Sequence, residues 1–319
     1  MAETNRPALV VVGHASRDLV EDDPRGWRLG GAVSFVSLAA ARLGVSTRVV
    51  LGTDREGATA PEIGLLRDAG ADVRVLVLPE APVFRNVETR EGRRQECLAA
   101  GRPLDPADVP ATWQAASAWA FVPILGELSG DAWAGTPPPD ALVALGWQGL
   151  LREARTGGRT IARAPAADPI LARADVTVAS RDDLGGMTMT DLPSAARLLA
   201  LFPRRGQALI VTAARDGGWL MERSERGWDI VPYGAVAADS EADLTGAGDV
   251  FLAAYLAAAL DATLVPPHRP RERPTARLRF SATAAALSLG GPGITAIPTR
   301  AAVRARLAGL KGPLERQPA

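Results

Sequence analysis

The stretch Ala242-Asp243-Leu244-Thr245-Gly246-Ala247-Gly248-Asp249 decides the interpretation of this chain, because its two glycines directly precede a long apolar run. The run, 250–260, is rich in Ala and Leu and contains neither Gly nor Pro, which predicts a buried helix. Glycines at such a helix start let the backbone turn sharply and point successive N–H groups at one place. These unpaired donors, with a partial charge of about +0.5, favour a bound phosphate.

Asp249 is unexpected in this position, because a carboxylate in the first helical turn would repel a phosphate. It is, however, well placed to take a proton from a hydroxyl that attacks that phosphate. Taken alone, the residue is better explained as a helix-start acid that interacts with the dipole. The whole string 243–249 changes this interpretation, because it resembles the D-x-T-G-A-G-D signature of the PfkB (ribokinase-like) family of carbohydrate kinases.

The resemblance implies a ribokinase-like three-layer α/β/α sandwich with a mostly parallel central sheet and a small β lid. It places a single domain in residues 1–312, with the lid formed from about 14–30 and 76–103, and leaves 313–319 as a disordered tail. It also implies an ATP-dependent kinase in which Asp249 is the general base. The amides of Gly246, Ala247 and Gly248 then form the anion hole for the transferred phosphoryl group.

Several residues near the N-terminus match positions that bind substrate in the family. Asp18 follows the predicted strand 8–13 and would accept hydrogen bonds from substrate hydroxyls, and the pair Gly30 and Gly31 precedes a helix. Phe35 departs from the pattern, because most members have Asn there, and the substrate contacts at this point must therefore differ. Further on, a Gly-bearing turn at 90–92 predicts the lid hairpin. Two of its polar side chains, Asn86 and Arg94, are candidates to contact the substrate.

The donor site is implied by residues in the C-terminal half. The family has N-x-x-E where this chain has Ser180 and Asp183, and Asp183 is a candidate to organise Mg²⁺ through a water. The same two residues also fit a capped turn without any metal. The family's T-x-G-x-x-G corresponds to Thr212 and Gly217, with Ala214 in place of the first glycine, which puts the shape of that turn in doubt. The remaining residues assigned to the nucleotide are Thr245 and Gly293.

The order of strands and helices supports a parallel α/β sheet independently of the resemblance. Apolar runs rich in β-branched residues predict strands, and Ala-rich runs closed by Gly or polar residues predict helices. The predicted strands include 8–13, 47–51, 73–78, 118–123, 175–180, 208–212, 219–222 and 228–233. The predicted helices include 33–43, 62–69, 141–151, 250–260, 277–289 and 300–310.

Composition limits the classes of partner. The 319 residues contain 36 basic and 36 acidic side chains, so no net charge attracts nucleic acid or an anionic membrane. The two histidines, His14 and His268, form no zinc pattern with the single cysteine, Cys97. No apolar run reaches the ~18 residues of a membrane span, and residues 1–7 lack a signal-peptide core, so we expect a cytoplasmic protein.

The functional hypothesis is therefore an ATP- and Mg²⁺-dependent kinase for a small carbohydrate or cyclitol, with a monovalent cation as a possible further cofactor. Phe35, Ser180 and the string Gly146–Arg152, which resembles the myo-inositol kinase-like branch, favour a cyclitol such as myo-inositol. A ribokinase, fructokinase or nucleoside kinase remains an alternative, as does a non-catalytic nucleotide or sugar sensor on the same fold. The chain is expected to be a monomer or a homodimer that pairs through the lid.

Overall fold

The computed structural model describes residues 8–89, 92–154, 158–186, 192–265 and 272–310. In chain order its strands are β1 (Ala8–His14), β2 (Arg17–Leu19), β3 (Trp27–Leu29), β4 (Ser46–Thr53), β5 (Asp72–Val77), β6 (Val83–Thr89), β7 (Gly92–Ala99), β8 (Ala118–Phe121), β9 (Leu142–Gly146), β10 (Arg152–Ala154), β11 (Thr160–Ala162), β12 (Val176–Ser180), β13 (Ala208–Thr212), β14 (Gly218–Ser224) and β15 (Gly227–Tyr233). Its α-helices are α1 (Ala32–Arg42), α2 (Pro61–Asp68), α3 (Gly130–Ala134), α4 (Pro169–Arg173), α5 (Leu192–Leu199), α6 (Ala247–Leu260), α7 (Arg273–Ser288) and α8 (Arg300–Gly309).

The large sheet has the strand order β15-β14-β13-β12-β9-β8-β1-β4-β5, and all its pairs from β13 to β5 are parallel. The side chains of β1 alternate between two hydrophobic clusters. Leu9 and Val11 pack with α1 and α6, whereas Val10 and Val12 pack with residues of α3, α4 and α5. A sheet that is apolar on both faces is covered by helices on both faces. The predicted three-layer sandwich is therefore confirmed.

A second, smaller sheet has the order β3-β2-β6-β7. Its strands fall within the two ranges predicted for the lid, and we call it the lid sheet. The two-stranded sheet of β10 and β11 is attached to its outer strand β7: Glu96 and Arg159 form a backbone bridge, and the Cys97 N–H donates to the Gly158 carbonyl. The single-domain boundary at 312 stays a prediction, and the expected tail at 313–319 lies outside the described residues.

Helix α6 is the buried helix that the sequence predicts. It packs between α1 and α7, and its residues from Val250 to Ala258 are buried. Because small Ala side chains cover much of its surface, neighbouring helices approach its backbone closely. Its first turn is consequently held in a fixed position against α1. None of the described helices combines the length and the apolarity that crossing a bilayer requires.

One predicted helix is wrong. The run 141–151 forms the strand β9 followed by a 3₁₀ turn, Trp147–Leu150, instead of a single helix. Its Ala and Leu residues favour a helix locally, but a short apolar run does not by itself distinguish a buried helix from a buried strand. The position between β8 and β12 supplies backbone partners on both sides of this segment, and these partners select the strand.

Candidate active site

A cavity of about 1400 Å³ lies at the carboxyl edge of the large sheet, where open α/β sheets bind their ligands. The ends of the strands β9, β12 and β13 open into it, and the first turn of α6 and the lid sheet complete its wall. The residues of the predicted site that line it are Asp18, Gly31, Asn86, Ser180, Asp183, Thr212, Gly217, Thr245, Gly246, Ala247, Gly248 and Asp249. These residues span 232 positions of sequence, and the fold brings them to one cavity.

The glycine loop before α6 has the geometry of an anion hole. Gly246 is in the left-handed region, with φ +77°, and directly precedes the helix. The first intrahelical bond runs from the Val250 N–H to the Gly246 carbonyl at 2.9 Å. The N–H groups of Ala247, Gly248 and Asp249 therefore have no intrahelical partner and face the cavity end of the helix.

Phe35 explains why position 246 must be glycine. A Cβ at Gly246 would lie 2.1 Å from a ring carbon of Phe35, which is itself buried in α1. The residue that departs from the family pattern thus packs on the glycine loop and also lines the cavity. It supports the loop by van der Waals contact, whereas an Asn would act through hydrogen bonds.

Asp249 lines the cavity and is half-buried. Among the described residues, its carboxylate makes no hydrogen bond and no ion pair. The pKa of Asp249 is raised to about 7, mainly by burial and also by the nearby charge of Asp183, while Arg152 has the opposite effect. A carboxyl group with a pKa near neutrality and no protein partner has the properties of a general base.

Asp183 belongs to a hydrogen-bonded cluster beside Asp249. Arg152 Nη2 donates to Asp183 Oδ1 at 2.7 Å, and the Ser180 hydroxyl donates to Asp183 Oδ2 at 2.6 Å. The Asp183 N–H in turn donates to Ser180 Oγ at 3.0 Å, which is the reciprocal pattern of a capped turn. Gln148 Nε2 lies 3.5 Å from both carboxylate oxygens. The Asp183 side chain is only 6% exposed, and its ion pair with Arg152 compensates its charge.

The lid sheet supplies the opposite wall. The Ser16 hydroxyl donates to Asp18 Oδ1 at 2.7 Å, and a Cβ at Gly30 would lie 2.1 Å from the other carboxylate oxygen, so only glycine leaves room for Asp18. Asn86 lies opposite Gln95 in the β6–β7 register, and Gln95 Nε2 donates to Asn86 Oδ1 at 3.3 Å. Carboxylate, amide and hydroxyl groups are thus presented to the cavity together, as binding of a polyol requires.

The turn after β13 keeps a glycine-like shape despite its alanine. Ala214 has φ +47° and is the one non-glycine residue in the described ranges with a positive φ. Gly217 has φ +80°, and a Cβ there would lie 2.0 Å from the Tyr233 carbonyl oxygen. Ala214 therefore strains the turn but does not change the course of the chain, because the neighbouring strands β13 and β14 hold the turn in place.

We expect Ala214→Gly to raise the free energy of unfolding by up to about 1 kcal/mol. Relief of a left-handed alanine is worth about 1–2 kcal/mol, and the greater freedom of glycine in the unfolded chain removes about 0.4–1 kcal/mol of this. Urea denaturation of both proteins measures the difference. Gly217→Ala, in the same turn, is the opposite control and should destabilise the protein. If Ala214→Gly instead destabilises the protein, the left-handed conformation of Ala214 is not strained.

Two predicted site residues do not contribute to the cavity wall. Gly30 lies behind Asp18, and Gly293 donates its N–H to Asp243 Oδ2 at 2.9 Å. The side chain of Arg94 lies outside the described residues. Conversely, the sequence did not single out Gln95 or Arg152, which line the cavity and bond to each other. The alternation along the lid hairpin carried the signal for Gln95, but it does not by itself say which face is covered.

The described residues contain no group of three or more His, Cys, Asp or Glu side chains arranged to hold a metal ion. The carboxylate of Asp183, the predicted contact of Mg²⁺, is already bonded to Arg152 and Ser180. Any metal in this cavity would therefore be held mainly by ligands other than protein side chains.

Comparison with known proteins agrees with this architecture. Residues 158–300 match the model of the pfkB family of carbohydrate kinases. No curated protein sequence matches the chain at a significant level.

Several solved structures share the fold. A pyrophosphate-dependent kinase of the ribokinase family, complexed with a pyrophosphate analogue and myo-inositol, is 19% identical with a TM-score of 0.70, over 93% of this chain and 99% of that chain. Ribokinase from Arabidopsis thaliana, complexed with ribose and ATP, is 18% identical with a TM-score of 0.65, over 96% and 100%. Fructokinase from Xylella fastidiosa, with bound ATP, is 20% identical with a TM-score of 0.67, over 94% and 98%.

Proposed function

We propose that this chain, whose residues 158–300 match the model of the pfkB family of carbohydrate kinases, belongs to that family and transfers the terminal phosphoryl group of ATP to a hydroxyl of a neutral cyclitol or sugar. One observation carries the proposal: the partner-free carboxylate of Asp249 and the open amides of the glycine loop meet at one end of a large cavity. A protein that only bound its ligand would gain nothing from an acid placed against phosphate.

The residues divide the reaction between them. The oxygen of the acceptor hydroxyl bonds to the terminal phosphorus, and Asp249 accepts the proton of that hydroxyl. The bond from the phosphorus to the oxygen of the leaving phosphate breaks at the same time. The N–H groups of Ala247 and Gly248 stabilise the charge that develops on the transferred group. The neighbouring helices keep this first turn of α6 from moving, so the donors are oriented before the reaction starts.

The donor half of the cavity supports a nucleotide in preference to pyrophosphate. The segments 236–244 and 282–289 form a largely apolar wall. The N–H groups of Ala242 and Asp243 donate to the Leu289 carbonyl and so hold the two segments together. The wall consists of Val236, Ala237, Ala238, Leu244, Ala282, Ala285, Ala286 and Leu289. A flat aromatic base buries apolar surface against such a wall, whereas pyrophosphate has no apolar part.

Cavity size supports two substrates bound together. Its volume of about 1400 Å³ exceeds the about 300–1,000 Å³ of a pocket that holds one drug-sized ligand. Thr212, Gly217 and Thr245 also line the cavity, and we assign them to the phosphates of the donor. Lys311, the only lysine of the chain, lies outside the described residues, and we assign the phosphate contacts to backbone amides and arginines.

Mg²⁺ is proposed to enter with the donor. Asp183, which is already bonded to Arg152 and Ser180, would contact the ion through water, and the phosphate oxygens of the donor would supply other ligands. When bound, the ion neutralises phosphate charge. We include a monovalent cation only as a possible further cofactor, and we propose either a monomer or a homodimer formed through the lid sheet.

The charges in the acceptor half favour a neutral acceptor. The carboxylates of Asp18 and Asp249 line this region, and among the described residues the carboxylate of Asp249 makes no ion pair. A sugar acid or sugar phosphate would add negative charge beside these carboxylates, at a cost that is large in a buried site. A neutral polyol such as myo-inositol, ribose or fructose avoids that cost.

The experiment is a panel of donors and acceptors followed by ³¹P NMR. The donors are ATP, GTP and pyrophosphate, and the acceptors are myo-inositol, ribose, fructose, a nucleoside and glucose 6-phosphate. We expect a phosphate ester from a neutral polyol with ATP and none from glucose 6-phosphate. Turnover with pyrophosphate but not with ATP would contradict the proposal that ATP is the donor. Tight ATP binding without transfer to any acceptor would favour the sensor.

The pH dependence gives a second, independent prediction. Because only the ionised base accepts a proton and burial raises the pKa of Asp249 to about 7, kcat/KM should rise about tenfold per pH unit below 7 and level off above it. Rates measured from pH 5 to 9 with the acceptor that the panel identifies will show this limb. A flat profile over the same range would mean that another group takes the proton.

A further inference from the structure

Arg152 connects two parts of the cavity that are otherwise separate. Its Nη1 donates to Gln95 Oε1 of the lid strand β7 at 3.1 Å, and its Nη2 donates to Asp183 Oδ1 at 2.7 Å. The two donors of one planar guanidinium thus hold one residue of the lid sheet and one residue of the turn after β12. The side chains of Arg152 and Asp183 are 26% and 6% exposed, so water competes weakly for these bonds.

The bonds continue in both directions from Arg152. On the lid side, Gln95 Nε2 donates to Asn86 Oδ1 at 3.3 Å, which reaches the neighbouring strand β6. On the other side, Asp183 accepts from the Ser180 hydroxyl at 2.6 Å, at the end of β12. A continuous chain of side-chain hydrogen bonds therefore runs from the lid sheet to the donor half of the cavity.

The backbone provides a parallel connection. Arg152 is the first residue of β10, and β10 pairs with β11. The segment that leads into β11 is bonded in turn to the lid strand β7 through the bridge between Glu96 and Arg159. A Cβ at Gly158 would lie 2.7 Å from the Cys97 carbonyl oxygen, which shows how closely the two backbones approach. Displacement of the lid strand must therefore displace β10 and β11 as well.

We propose that Arg152 is a positioning residue that couples the lid sheet to the turn 180–183, so that binding of the phosphoryl donor orders the lid over the acceptor. This inference rests on the proposed function, because it takes the turn 180–183 to be part of the donor site. It adds that the two substrate sites communicate and names the side chain that carries the coupling. By linkage, the acceptor must strengthen donor binding by the same factor.

The chemistry of the side chain makes the proposal specific to arginine. A guanidinium reaches two acceptors that lie in different directions, whereas an ammonium on a flexible stem is a point charge. Arg152→Lys therefore keeps the positive charge near Asp183 and removes the connection to Gln95. Gln95→Leu removes the same connection without changing any charge. Gln95→Glu keeps an acceptor oxygen for Nη1 of Arg152 and should therefore preserve the coupling.

Hydrogen exchange of the full-length protein tests the coupling without knowledge of the acceptor. The probes are the non-hydrolysable ATP analogue AMP-PNP with Mg²⁺, and methylene diphosphonate with Mg²⁺. In the wild-type protein we expect the saturating probe to slow exchange of the β6 and β7 amides by at least about fivefold, the lower end of typical coupling. In Arg152→Lys and Gln95→Leu this slowing should disappear although the probe still binds, and Gln95→Glu should retain it.

Arg85→Gln is the matched control, because Arg85 lies on the lid strand β6, is 52% exposed on its side chain and pairs only loosely with Glu96 at 3.8 Å. It should respond to the probe as the wild-type protein does. Unchanged lid protection in both Arg152→Lys and Gln95→Leu would overturn the coupling and leave the proposed function intact. A wild-type protein that binds neither probe would count against both, and one that binds a probe without any lid response would overturn the coupling alone.

Discussion

Replacement of Asp249 by Asn should lower turnover by about 10²–10⁴ while the donor still binds. The amide has the shape of the carboxylate, but it cannot accept the proton of the attacking hydroxyl. The residue has no hydrogen-bond or ion-pair partner among the described residues that the change would break. Steady-state kinetics with the acceptor identified by the panel gives the rate, and calorimetric titration with AMP-PNP gives the donor affinity.

Stability measurements separate this loss from unfolding. Because burial raises the pKa of Asp249 to about 7 in the folded protein, the ionised form is disfavoured by the fold. Stability is thus lost as the pH rises from the unfolded pKa to the folded one, and the cost is fully present above 7. Asp249→Asn removes that cost, so at pH 8 the variant should resist urea at least as well as the wild-type protein.

Asp131→Asn is the control for the alternative in which Asp249 is only a helix-start acid. Asp131 lies in the first turn of α3 and is exposed. Its replacement should leave turnover unchanged, because it does not line the cavity. If Asp249→Asn also turns over at a near wild-type rate, Asp249 is not the base and the proposed mechanism is wrong.

Replacement of Gly246 by Ala should reduce kcat by about 10²–10³, the effect of losing a preorganised donor of an anion hole. The new Cβ would lie 2.1 Å from the Phe35 ring, and the φ of +77° is unfavourable for any residue with a Cβ. The loop must move, and the amides of Ala247 and Gly248 move with it. We expect a loss of about 2–4 kcal/mol in the free energy of unfolding as well.

Gly248→Ala distinguishes this specific clash from a general intolerance of alanine in the loop. A Cβ at Gly248 meets no atom within 4 Å, and this residue lies inside α6 without a positive φ. Its stability should equal or exceed that of the wild-type protein, by up to about 1 kcal/mol. Phe35→Ala in the Gly246→Ala background should recover part of the lost stability. If Gly246→Ala is fully active, the loop does not hold the transferred group.

Phe35 has a contact that no local sequence pattern predicts. The sequence indicated that a phenylalanine in place of Asn must change the substrate contacts, and nothing in the pattern connected it with residue 246. The two positions are 211 residues apart, and they meet only because α1 packs against α6. The strand β9 was mispredicted for a related reason, because its neighbours in the sheet, and not its own composition, decide its conformation.

Local patterns determined the parallel strands, the buried helix α6 and the glycine loop with Asp249, because apolar periodicity and glycine placement act over a few residues. Only the tertiary structure decided which polar side chains meet in the cavity, above all Arg152 with Gln95 and Asp183. Such meetings depend on the order of the strands, the register of the lid hairpin and the direction of each side chain. These are set by packing between segments that are distant in the chain, and no local pattern encodes them.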